Sequence, residues 1–350
     1  MGKPPPAPHR GRFIPPFDIP SRFSVREGPG ASWPQSRPRH NKVGGTPRRS
    51  IEMGFSRILL STDFSECSRE AAKFAGIIAK NFDSEIYLVH VLSDFRSEYA
   101  SFLEETLPLP EPLEEEERRA VANLRAEAER LREEDLNVEE IMLFGTPYIE
   151  ILKFAEKREV DLIIMGTRGL SGLKELLLGS TALKVVRNSH IPVITVRKCT
   201  VTGGIKKVLF PTDLSDYSLE ALPLALEFCR TMGAKITLFH VIEIRTYDPE
   251  KVGYFLSDKF FDEIKPFIEK RMGTCPEDVH HEKKVVRAMD ATAAIIDEIR
   301  DNRYDLVVMA NHGRTGFKRA LLGSVAEKVL RHSPAPVMTV KPSDFAKKGD

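Results

Sequence analysis

The segment Gly166-Thr-Arg-Gly169-Leu-Ser-Gly172-Leu-Lys-Glu-Leu-Leu-Leu-Gly179-Ser180 returns 144 residues later as Ala310-Asn-His-Gly313-Arg-Thr-Gly316-Phe-Lys-Arg-Ala-Leu-Leu-Gly323-Ser324. Over residues 161–196 the ungapped match to 305–340 holds 19 identities in 36 positions, far beyond shared composition. Upstream, Ile58-Leu-Leu-Ser61-Thr62-Asp63-Phe-Ser65 pairs with Val208-Leu-Phe-Pro211-Thr212-Asp213-Leu-Ser215, and Leu88-Val-His90-Val91 with Leu238-Phe-His240-Val241, both at an offset of 150. The offset changes by six residues, which shortens the second copy between its His-Val strand and its glycine loop. A chain that repeats itself at a nearly fixed offset contains copies of one unit, and copies of about 140 residues have the size of a single domain. The 350 residues therefore divide into a domain over 53–198, a linker over 199–204, a second domain over 205–342 and short C-terminal residues 343–350.

The first 52 residues fall outside the repeat. They hold 11 of the 24 prolines and ten Lys or Arg, with few acids and no periodic apolar run, so a disordered basic tail is expected there. It has neither the apolar stretch of a secretory signal nor the composition of a transit helix. Met53 stands directly before the first strand and reads as the start of translation. The net charge of +1 conceals a basic tail on a mildly acidic folded part, so nucleic acid is not an expected partner. No run of 18 apolar residues predicts a membrane span. Cys67, Cys199, Cys229 and Cys275 lack metal-ligand spacing and read as reduced thiols of a cytoplasmic protein.

Each copy alternates short apolar runs with longer amphipathic stretches. In the first, strands are expected at 57–61, 85–91, 139–144, 161–165 and 192–196, and helices at 68–81 (capped by Ser65), 113–134, 148–157 and 180–188. Strand and helix in strict alternation mean α/β architecture: two tandem Rossmann-like, doubly wound domains, each with a five-stranded parallel sheet flanked by helices. Ligands of such sheets bind at the carboxyl ends of the strands, where strand order reverses. Asp63, Val91 and Gly166 all fall at that edge.

The glycines of the repeated loop allow close approach of a ligand to backbone amides. The helix opening at Ser180-Thr181 offers unpaired N–H donors and the positive end of its dipole, a cradle for phosphate. Neither usual nucleotide fingerprint is present, since Gly-x4-Gly-Lys-Ser/Thr is absent and no Gly-x-Gly-x-x-Gly follows the first strand. Lys174 and Lys318 read either as partial substitutes for the missing P-loop lysine or as solvated helix charges.

The spacing Gly-x2-Gly-x9-Gly-Ser, filled by Gly166, Gly169, Gly179 and Ser180, together with the flanking strand motifs, resembles the universal stress protein family in its tandem two-domain, ATP-binding form. The resemblance covers 55–198 and 205–342. It implies ATP as ligand, with Mg or Mn on the phosphates and Asp63 and Asp213 near the ribose or the metal. It further implies that backbone groups at Val91 read adenine. The binding set carried over is Ser61, Thr62, Asp63, Val91, Gly166, Arg168, Gly169, Gly179, Ser180 and Thr181, with Pro211, Thr212, Asp213, Val241, Ala310, His312, Gly313, Gly323, Ser324 and Val325 in the second copy. The last strands of the two copies are implied to pair with each other, and a homodimer of the tandem chain is expected.

The copies are not equal. Ala310 replaces Gly166, which requires negative φ there and is expected to bring a methyl group close to a ribose. Met289-Asp290-Ala291 replaces Gly145-Thr146-Pro147, and Asp290 would oppose phosphate if it pointed inward. Tighter binding in the first copy follows. His90 and His240 sit inside apolar strand runs and read as structural, so no catalytic residue is assigned; Arg168 and His312 read as basic flanks for phosphates. The leading expectation is an ATP-binding, nucleotide-dependent regulatory module of the stress response. Two other classes stay open: a slow ATPase or phosphotransferase, and a scaffold that binds no nucleotide.

Overall fold

The computed structural model of the chain describes residues 54–93, 111–167, 178–199, 201, 203–244, 249–313 and 322–342. The basic tail, most of both glycine loops (Arg168, Gly169, Gly172, Lys174, Gly316 and Lys318 among them) and the last eight residues lie outside these.

The first domain runs β1 (Arg57–Ser61), α1 (Glu66–Phe82), β2 (Glu85–Leu92), α2 (Glu111–Glu133), β3 (Asn137–Phe144), α3 (Pro147–Lys157), β4 (Leu162–Gly166), α4 (Ser180–Asn188) and β5 (Val193–Val196). Its strands stand in the order β3-β2-β1-β4-β5, all parallel. The second domain repeats this with β6 (Lys207–Pro211), α5 (Asp216–Leu219), α6 (Leu222–Met232), β7 (Lys235–Glu243), α7 (Pro249–Leu256), α8 (Asp258–Arg271), β8 (His281–Ala288), α9 (Ala291–Asn302), β9 (Leu306–Ala310), α10 (Ser324–His332) and β10 (Val337–Val340). The two sheets form a single ten-stranded sheet, because β5 and β10 pair antiparallel with Met338 opposite Ile194.

Central strands are buried on both faces, which is why β4 and β9 read as unbroken apolar runs. One core lies under α1, α2, α6 and α8, and the other under α3, α4, α9 and α10; each continues across the domain boundary. On the first face the junction is aromatic: Phe55 meets Phe82 edge-on at 5.3 Å and Phe228 at 6.1 Å.

Ser65 caps α1 as expected, its hydroxyl accepting from the Ser68 amide. The second copy breaks the corresponding helix between α5 and α6. Pro223 stands in the first turn of α6, where its missing N–H and its ring prevent continuation from α5.

Candidate functional site

In each domain the sheet order reverses beside the first strand, and a cleft opens there at the carboxyl ends of the strands. The first cleft, about 210 Å³, brings together Ser61, Thr62, Asp63, Val91, Gly166, Gly179, Ser180 and Thr181. The second, about 680 Å³, brings together Pro211, Thr212, Asp213, Val241, Ala310, His312, Gly313, Gly323, Ser324 and Val325. Every binding residue expected from the sequence that falls within the described residues lines one of the two clefts; Arg168 and Gly169 do not fall within them.

A tight turn after β1 builds the floor. Phe64 takes φ +62°, a left-handed conformation uncommon for a bulky side chain. The turn is held from both sides: Asp63 Oδ1 accepts from the Ser65 amide at 3.1 Å, and the Thr62 hydroxyl accepts from the Phe64 amide at 3.1 Å. The second domain repeats it, with Leu214 at φ +64° and Asp213 Oδ1 accepting from the Ser215 amide at 3.0 Å. Asp63 thus serves the turn with one oxygen. Its other oxygen has no partner among the described residues, and a single carboxylate oxygen suits a metal bound mainly by phosphate and water. Among the described residues no three His, Cys, Asp or Glu side chains gather into a protein-only metal site.

The glycine loop is pinched at its neck. Gly179 donates its amide to the Thr167 carbonyl at 2.7 Å, and Gly323 donates to Asn311 at 2.8 Å. The pinch delivers α4 and α10 to the cleft with Gly179 and Gly323 as N-caps, and no side chain caps either helix. Their first amides are left for another acceptor. The first turn of α4 carries no acid, whereas α10 has Glu327 there. Thr167 lines the first cleft at 3% exposure, and its hydroxyl has no partner among the described residues. At the matching position Asn311 accepts from the Tyr217 hydroxyl at 2.7 Å.

The geometry refines several sequence expectations. A β-carbon on Gly166 would lie 2.9 Å from the Cys67 carbonyl carbon and 2.9 Å from the Ser68 amide nitrogen. The close approach of α1 to β4 therefore itself requires a glycine here, and Ala310 meets the expected negative φ, since neither residue has positive φ. Asp290 does not oppose phosphate, because its side chain caps α9, accepting from Ala293 at 2.8 Å. The second cleft is the larger of the two, extended by Ile264 and Ile268 of α8. In addition, His312 is a poor cation here. Burial, with Lys341 nearby, pushes its pKa below the ordinary imidazole value, so at neutral pH it offers a hydrogen bond and not a charge.

His90 and His240 act structurally. Each sets its Nδ1 2.8 Å from the carbonyl oxygen after the first strand, Thr62 or Thr212, and a carbonyl can only accept, so Nδ1 carries the proton. Sequence reasoning overlooked Thr167, Ser68 and, behind the floor, Glu127 of α2, which accepts from the Thr62 hydroxyl at 2.9 Å. For Glu127 a signal existed: it shares the helical stripe of Ala120, Leu124, Ala128 and Leu131.

No helix among the described residues is long and apolar enough to cross a membrane. The chain is 41% identical over 152 residues to Universal stress protein MJ0531 of Methanocaldococcus jannaschii, a match spanning 43% of this chain and 86% of that protein. It is 26% identical over 255 residues to Universal stress protein Mb2028c of Mycobacterium bovis, spanning 68% of this chain and 82% of that protein. Its fold is like that of a universal stress protein from Archaeoglobus fulgidus, with a TM-score of 0.59, 23% identity and coverage of 82% of this chain and 99% of that one. The sequence profile of the Universal stress protein family matches twice, at residues 54–197 and 204–341, so the chain belongs to that family and carries two of its domains in tandem.

Proposed function

We propose that the chain is an ATP-binding regulatory module of the stress response. The observation that carries this reading is the uncapped start of α4, held by the Gly179–Thr167 pinch in the same cleft as the unpartnered Thr167 hydroxyl. Amides at a helix start, a hydroxyl donor and the absence of acid in the first turn suit the phosphates of a nucleotide. Ser180 and Thr181 add hydroxyls, Asp63 would serve a phosphate-bound Mg or Mn, and the strand end at Val91 would offer backbone groups to the base. In the second cleft Asp213, Gly323, Ser324 and Val325 would serve the same ligand. We assign the module to the cytoplasm, as a homodimer of the tandem chain acting on protein partners.

Chemistry on the nucleotide is not part of this reading. The Nδ1–H bonds of His90 and His240 to backbone carbonyls hold each ring in place with Nε2 as its basic nitrogen, and no catalytic role is assigned to either.

Mass spectrometry of nucleotide co-purified with the full chain tests the proposal. Adenine nucleotide is expected in wild type and reduced in Gly179→Arg, whose side chain would fill the mouth of the first cleft. Absence of binding at millimolar ATP with Mg²⁺ would point to the scaffold reading, and Ser180-dependent ADP release to the enzyme.

A further inference from the structure

Helix α2 is rich in Glu and Arg, yet one carboxylate at its centre is buried. Ala120, Leu124, Ala128 and Leu131 face the core at helical spacing, and Glu127 lies in the same stripe at 7% exposure. Its Oε2 accepts from the Thr62 hydroxyl at 2.9 Å, while Oε1 is buried without a partner among the described residues. A carboxylate so placed costs free energy that its bonds must offset. Thr62 has one hydroxyl proton and two acceptors in reach, Glu127 at 2.9 Å and Ser68 at 3.3 Å, and the shorter bond goes to the carboxylate.

The second domain builds the same left-handed turn without such a group. There the Thr212 hydroxyl bonds Ser218 at 2.9 Å and accepts from the Leu214 amide at 3.0 Å. Glu127 is thus unnecessary for making the turn. What it adds, in the first domain alone, is a bond from the floor of the cleft to α2.

We propose that Glu127 is a positioning residue of the first cleft: through Thr62 it joins the turn that carries Asp63 to helix α2, so that occupancy of this cleft is felt along α2. The occupant rests on the nucleotide reading above; the bond itself belongs to the ligand-free chain. Burial favours the neutral acid at Glu127, the Thr62 bond, Arg69 of α1 and Arg130 of α2 favour the carboxylate, and Asp63 opposes it. A charge arriving beside Asp63 therefore acts on Glu127 as well.

Hydrogen exchange of the full chain tests the link, with Glu127→Ala, Glu127→Gln, Thr62→Val and the Glu127→Ala/Thr62→Val double variant, each with and without Mg-ATP. Without ligand, each single truncation is expected to speed exchange in residues 61–66 and in α2 by about tenfold, the size of one bond to a charged group. The double variant should be no faster than either, and Glu127→Gln, which keeps an acceptor, should restore slow exchange. With Mg-ATP, α2 should slow in wild type and not in Glu127→Ala, while residues 212–219 respond alike in both. Additive single effects, unchanged exchange in Glu127→Ala, or ATP-linked slowing of α2 that survives Glu127→Ala would each overturn the proposal. If ATP slows exchange nowhere in wild type, the nucleotide reading fails, and the ligand-free cycle still decides the link.

Discussion

Arg187 of α4 donates to Glu327 of α10 at 3.0 Å across the seam between the domains, although the repeat places Leu183, not an acid, at the position equivalent to Glu327. The same carboxylate accepts from Arg331 at 2.8 Å, and Arg331 in turn accepts from Arg197 through its carbonyl. One acid in one copy thus serves arginines of both. The acid that joins the two copies here is thus present in the second copy alone. The Arg331 bond is the main cause that holds Glu327 below the usual carboxylate range, with Arg187 adding to it.

Glu327→Leu, which makes the second copy resemble the first, is expected to destabilise the chain by about 1 kcal/mol, since both partners are partly exposed and screened. The loss should be seen in urea denaturation at neutral pH and should disappear in acid. A carboxyl with a depressed folded pKa stabilises above its unfolded pKa and loses that contribution as pH falls through the folded one. A loss that persists unchanged at pH 3 would mean that packing, not charge, sets the effect.

Gly166→Ala tests the approach of α1 to β4. With backbone atoms 2.9 Å from the new methyl and no flexible side chain to yield, overpacking of about 1–3 kcal/mol is expected. Ala310→Gly should cost on the order of 1 kcal/mol by the opposite route, lost burial and greater freedom of the unfolded chain. A Gly166→Ala protein that melts with wild type would show that α1 can retreat without penalty.

Much of this arrangement is legible in local sequence. The periods of apolar residues locate β4 and α4, Ser65 announces the start of α1, and the repeated Thr-Asp turn and Gly-Ser helix start sit at the edge where an α/β sheet binds ligands. What local sequence does not carry is which atoms meet across 60 or 100 residues. Gly166 lines the cleft, and only the packing of α1 shows that a methyl group there would meet the backbone of Cys67 and Ser68. Glu127 is one glutamate among many in α2; the apolar stripe it shares marks the buried face, but its bond to Thr62, 65 residues away, is visible only in the fold.

Acid should weaken the first domain through His90. Burial is the main cause that holds this imidazole below its ordinary 6.5, although the Thr62 carbonyl and Asp63 oppose the shift. The unfolded chain therefore binds the proton first, and stability falls as pH drops through 6.5 towards the lower folded pKa. His90→Gln, measured by urea denaturation at pH 7.5 and pH 5.5, should lose less stability between the two than wild type. An equal or greater loss in the variant would place the acid sensitivity elsewhere.

Glu127 predicts the reverse slope at higher proton affinity. Burial raises its pKa above the ordinary 4.5, against the Thr62 bond and the fields of Arg69 and Arg130. The folded chain then holds the proton more tightly than the unfolded one, so stability falls as pH rises from 4.5 through the folded pKa. Glu127→Gln does not titrate and keeps an acceptor for Thr62. Its stability relative to wild type should therefore increase from pH 4.5 to pH 7.5 and level off once the wild-type carboxyl is ionised in both states. If wild type instead gains on the variant as pH rises, Glu127 is stabilised as the anion, and the arginines outweigh its burial.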